Sequence, residues 1–105
     1  MINISDMLED ERFDEVNEIL ANLCVEFTAN ELYTMLNDMY FTFDEDGNEQ
    51  YGIIHEIKAD GKFLIITFTY EYWDYDVDEN GKAIPFKASA DGEDRFNQFG
   101  MTITR

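Results

Sequence analysis

The hydrophobic period of the chain changes at Tyr40. Upstream of it, Phe13, Val16, Leu20, Leu23 and Phe27 recur at spacings of three and four, widened by Ile19 and Cys24. That spacing gathers them on one side of an amphipathic helix, with Cys24 as a small core residue. The other side presents Glu11, Asp14, Glu15, Glu18 and Asn22. Ser5 is placed to cap a short preceding helix, with Asp6 and Glu9 in a first turn where the helix dipole favours anions. Thr28-Ala29-Asn30-Glu31 has the form of a capping box and opens another helix, in which Leu32, Met35, Leu36 and Met39 face the core.

Downstream the period is two. Asp46-Gly47, Asp60-Gly61 and Asn80-Gly81 suit tight hairpin turns, whose central residues need positive φ. The runs expected as strands are Tyr40–Phe43, Tyr51–Lys58, Phe63–Trp73 and Ala83–Ala88. In the third, Leu64, Ile66, Phe68, Tyr70 and Tyr72 share the face toward the helices, and Thr67, Thr69 and Glu71 the other. Trp73 and Tyr75 fall on that other face. Pro85 lacks a donor, which places its strand at an edge. Asp91-Gly92 reads as a break, followed by a short helical turn over Glu93–Phe99 and a last strand over Met101–Thr104. The expected architecture is one α+β domain over residues 1–105, helical over 1–39 and β-rich over 40–105. Two N-terminal helices pack on an antiparallel β-meander of about four to five strands.

Charge changes the picture more than composition does. The chain has 105 residues, 45% of them hydrophobic, so it can build a core despite a net charge of −17. The first fifty residues hold fourteen acids against a single base, Arg12; the remainder hold ten acids and six bases. Such a one-sided surface costs self-repulsion that a balanced one avoids, and it steers a cationic partner. It repels phosphodiester backbones and anionic membrane surfaces alike. The N-terminus has no basic, apolar leader pattern, and the expected compartment is the cytoplasm of the protein's own cell or of a host.

Catalytic signatures are sparse. One histidine, His55, lies in a strand, and one cysteine, Cys24, lies on an apolar helical stripe, a poor basis for a nucleophile–base pair. No catalytic residue, metal ligand or cofactor is expected. Asp76-Val77-Asp78-Glu79-Asn80-Gly81 matches the first half of a calcium loop, but Lys87 stands where the bidentate glutamate belongs. The simpler reading is an Asn-Gly hairpin with solvated acids. Asp44-Glu45-Asp46-Gly47-Asn48 fails the calcium pattern too, with Glu49 where glycine is needed.

The candidate contact residues form three groups. The helix side offers Glu11, Asp14, Glu15 and Glu18, an anionic row that a groove built for phosphates could accept. The first β-turn offers Asp44, Glu45, Asp46 and Glu49. The third group sets the aromatics Trp73 and Tyr75 among Asp74, Asp76, Asp78 and Glu79, an anchor with a negative rim. The expected function is a non-catalytic inhibitor bound to the basic, nucleic-acid-binding surface of a target protein. In size and charge the chain resembles small phage-encoded anti-restriction and anti-CRISPR proteins, several of which mimic nucleic acid. The run Gly61-Lys62-Phe63-Leu64-Ile65-Ile66-Thr67-Phe68-Thr69-Tyr70-Glu71 is similar to a strand segment of bacterial immunity proteins related to the YezG antitoxin. That resemblance covers those residues alone and implies the alternative of an antitoxin that neutralises a nuclease. A third reading is an acidic adaptor or structural domain.

Overall fold

The computed structural model describes residues 1–105 and consists of three helices and six strands. In chain order these are β1 (Ile2–Asn3), α1 (Ile4–Glu9), α2 (Phe13–Leu23), α3 (Ala29–Asn37), β2 (Tyr40–Phe43), β3 (Glu49–Asp60), β4 (Phe63–Val77), β5 (Ala83–Asn97) and β6 (Gly100–Thr104). The α+β class is as the sequence predicts, with one more helix and a larger sheet. No helix is long and apolar enough to cross a membrane.

Local signals account for the helices, with two corrections. Asn3, not Ser5, caps α1, its Oδ1 accepting from the Asp6 N–H at 3.0 Å. Ser5 is buried one turn in, where its hydroxyl accepts from Ile57 N–H at 2.5 Å and donates to Ile57 C=O at 3.2 Å. The hydroxyl stands in for a strand partner between the stretches of β3 that β1 and β2 cover. Helix α2 ends at Cys24, left-handed at φ 57°, with its N–H returned to the Ala21 carbonyl. That turn carries Cys24 off the apolar stripe, so the thiol is exposed and not in the core. Thr28 and Glu31 form the expected capping box, and Asn17 of α2 accepts from the first N–H of α3 at 2.8 Å. Met39 falls beyond α3 and is exposed.

The sheet is antiparallel throughout, in the order β1-β3-β4-β5-β6, with β2 beside β3 on the edge that β1 also uses. Strand β5 runs unbroken through Asp91-Gly92, and Glu93–Asn97 pairs with β6 in place of the expected helical turn. The cause is a close approach. The Phe68 ring lies over Gly92 and Gly52, and a Cβ added there would sit 2.7 and 2.5 Å from ring carbons. Glycine here makes room for an aromatic ring on a neighbouring strand.

The helices cover one face of the sheet. Ile4, Leu8, Val16, Leu20 and Leu32 pack on Ile57, Leu64, Ile66 and Phe68, with Phe27 edge-on to Phe96. Beyond the helices that face is closed by a buried polar network. Asp94, 0% exposed, accepts from the Tyr40 hydroxyl at 2.7 Å, the Thr42 hydroxyl at 2.6 Å and Arg105 Nη1 at 2.7 Å. Arg105 also donates to the Gln50 side chain at 2.6 Å and to the Phe43 carbonyl. Its guanidinium lies 4.9 Å from the centre of the Phe68 ring. The last residue therefore ties β2 and β3 to β5 across the curled sheet, and no buried side-chain donor or acceptor is left unpaired.

Candidate functional site

Strands β4 and β5 outrun the rest of the sheet. Pairing of β3 with β4 ends at Gly52 opposite Tyr70, and pairing of β6 with β5 ends at Glu93. Between Glu71–Val77 and Ala83–Ser89 the two strands pair only with each other. They form a projecting two-stranded arm, and the molecule measures 59 × 28 × 20 Å. Pro85 lies in this arm, where β5 has no outer neighbour, as its missing donor requires.

Pairing fixes the two faces of the arm. Trp73, Tyr75 and Val77 share the outer face with Lys87, Pro85 and Ala83; Tyr72, Phe86 and Ile84 lie on the helix-side face. Trp73 is 62% and Tyr75 65% exposed, and Ile84 and Phe86 are exposed as well. Of the face predicted to lie on the helices, Leu64, Ile66 and Phe68 are buried, Tyr70 is half-buried and Tyr72 is exposed. Neither face of the arm is covered.

The two acid-rich turns share one design. In Asp44-Glu45-Asp46-Gly47-Asn48, Asp44 Oδ1 accepts from the N–H groups of Asp46 at 2.9 Å and Asn48 at 2.8 Å. In Asp78-Glu79-Asn80-Gly81-Lys82, Asp78 Oδ1 accepts from Asn80 at 2.9 Å and Lys82 at 2.8 Å. Gly47 and Gly81 follow at φ 83° and 76°. The Asn48 backbone bond, above all, holds the Asp44 carboxyl below the usual carboxylate range. These aspartates spend their oxygens on the turn backbone. Asp76, the first position of the half-calcium pattern, bonds to the Val77 N–H. No cluster of three or more His, Cys, Asp or Glu side chains is placed to hold a metal ion.

The structure brings two of the three predicted groups together. Asp44 and Glu49 line a groove of about 660 Å³ at the root of the arm with Tyr51, Ile53, Glu71 and Trp73. Asp44, Glu45 and Asp46 share a smaller concavity, about 300 Å³, with Tyr72 and Arg105. Asp74, Asp76, Asp78 and Glu79 continue outward along the arm. Glu11, Asp14, Glu15 and Glu18 line neither concavity. All four are exposed, but they are not one helical row. Glu11 sits in the turn between α1 and α2 at φ 59°, and Glu15 is paired with Arg12. That bond and the charge of Glu15 raise the Arg12 pKa.

His55 lies on the outer face of β3, bonded to the Thr69 hydroxyl and facing Asp91, away from Cys24 at the end of α2. The two do not form a nucleophile–base pair. Sequence reasoning missed the Asp94–Arg105 pair. Alternation with Phe96 on β5, which turns Asp94 inward, was the available signal. No protein-family model matches the chain, and searches of curated proteins and of solved structures gave no match.

Proposed function

We propose that this protein is a non-catalytic binding protein that docks on the basic, nucleic-acid-binding surface of a target protein and blocks it, acting in the cytoplasm of its own cell or of a host. One observation carries the reading: the charge is unbalanced and on the outside. Every one of the 24 acids is exposed except Asp44, Glu56, Asp78 and Glu93, which are half-buried, and Asp94, which is buried. The bases are largely spoken for. Arg12 pairs with Glu15, Lys87 with Glu71, Arg95 with Glu93 and Arg105 with Asp94. The outward field is therefore negative, which steers cationic surfaces and repels nucleic acid itself.

The test is capture of basic proteins on the immobilised full chain, followed by competition. A target held through its nucleic-acid surface is released by duplex DNA or RNA, and its affinity falls steeply with salt. Changing Glu11, Glu15 and Glu18 to Gln and Asp14 to Asn leaves folding intact, because all four are exposed. It is expected to weaken binding about tenfold, equivalent to ~1.4 kcal/mol. A captured target that binds nucleic acid and this protein at the same time contradicts the reading.

A further inference from the structure

We propose that the arm is the anchor of this docking: Trp73 and Tyr75 enter an apolar recess that a protein partner rims with lysine or arginine, and contact is made through the faces of the arm and not by strand addition. The proposal rests on the docking reading above and locates the grip.

Each edge of the arm is blocked in part. Asp74 Oδ1 accepts from the N–H of Tyr75 and Asp76 Oδ1 from the N–H of Val77, each at 2.8 Å. Those N–H groups therefore point away from β5, and Tyr75–Pro85 and Val77–Ala83 are non-hydrogen-bonded pairs of the ladder. Proline opposite Tyr75 thus lacks its donor on the outer side of β5 as well. An incoming strand meets donors already occupied on one edge and a missing donor on the other, two of the devices by which sheets refuse edge-to-edge pairing.

The larger available surface is side chain. Trp73, Tyr75 and Val77 form an exposed apolar strip with Ala83 and Pro85 opposite. Exposed aromatics of this kind supply most of the energy of an interface when a pocket desolvates them. The sign of the rim selects the partner. Asp74 and Asp76 belong to the opposite face of the arm, with Phe86 and Ile84, so the rim of the strip is made by Asp44, Glu49 and Glu71 at the root and by Glu79, exposed in the turn. The base nearest the indole, Lys87, is paired with Glu71 and lies 5.6 Å from the centre of the Trp73 ring, a cation–π contact within the arm itself. A second copy would bring the same carboxylates and a further net charge of −17, which disfavours self-association through this surface.

Trp73 is the only tryptophan, so its emission reports on the arm directly. The full chain is titrated at low salt with a short peptide alternating arginine and leucine, and in parallel with one alternating glutamate and leucine. The expected result is a blue shift with the arginine peptide only. Replacing Tyr75→Ser and Val77→Ser should weaken that binding about tenfold with the unfolding transition unchanged. The helix-layer variant that neutralises Asp14, Glu15 and Glu18 should still reach the full shift at saturation, at a higher peptide concentration, because it weakens the field that steers the peptide and leaves the anchor in place. Binding of the arginine peptide with Trp73 emission unmoved, lost on helix-layer neutralisation, overturns the arm as anchor and leaves the docking reading standing. No binding of the arginine peptide by either surface overturns both. A blue shift that grows with the protein's own concentration, with a dimer in sedimentation, assigns the strip to a second copy and overturns the proposal.

Discussion

One strand lives in two environments. Between Leu64 and Phe68, β4 has partners on both sides, helices over one face and four buried residues, Leu64, Ile65, Ile66 and Phe68. Between Glu71 and Val77 the same strand has one partner, no covering layer and no buried residue. The first stretch is held by burial, at roughly 1.5–3 kcal/mol for each large apolar side chain removed from water. The second is held by cross-strand pairs, each worth about 0.2–1 kcal/mol, and by the Asp78 turn. A two-stranded ribbon is marginal by itself in water. Here it grows out of a rigid sheet that fixes its register. The body folds the chain; the arm exposes what the body has no use for.

The largest effects are expected where the body is closed. Arg105→Ala strips the buried carboxylate of Asp94 of its counter-charge, and breaking such a pair typically costs about 3–5 kcal/mol. Urea unfolding should show that loss, and Arg105→Lys should recover only part of it, because an ammonium lacks the fork that reaches Asp94, Gln50 and Phe43 together. A loss within the range of a surface pair would mean the network does not close the sheet. Gly92→Ala comes next, at about 1–3 kcal/mol for overpacking against Phe68. Combined with Phe68→Leu its extra cost should shrink, since the clash is with the ring.

A smaller effect appears at alkaline pH. Burial, and then the bond to Asp94, raise the Tyr40 pKa well above that of a free phenol. In the unfolded chain tyrosine titrates near ~10. The folded state therefore keeps the proton after the unfolded state has released it. The contribution of Tyr40 is complete below that pH and is lost above it. Unfolding followed from neutral to alkaline pH should show stability falling above ~10, and Tyr40→Phe should flatten the fall while lowering stability at neutral pH. A slope identical in both proteins contradicts this origin.

The same contrast separates what the sequence carries from what it does not. The α2 stripe from Phe13 to Leu23, the Thr28–Glu31 capping box and the three turn glycines are local patterns, and each appears in the fold where the spacing puts it, whereas Phe27 reaches the core from beyond the end of α2. Gly92 was unreadable because its reason, the Phe68 ring, arrives from another strand 24 positions away in sequence. Ser5 fits the cap pattern as well as Asn3 does, and only the β3 edge decides between them. Cys24 belongs to the apolar stripe until the helix turns left-handed beneath it. For the candidate site, acid exposure was legible from charge alone. The meeting of the first turn with the arm was not, because it depends on where β3 stops pairing with β4. The Asp94–Arg105 closure joins residues whose inward positions only the assembled sheet defines.

Amide hydrogen exchange along β4 and β5 tests the division of labour most directly, first in the free protein and then with the alternating arginine–leucine peptide. The account predicts amides at Leu64–Phe68 that exchange only through global unfolding, arm amides that exchange much faster through local opening, and peptide-induced protection confined to the arm and the groove at its root. Equal protection along both stretches, or peptide-induced protection on the helical layer with the arm unchanged, would contradict it.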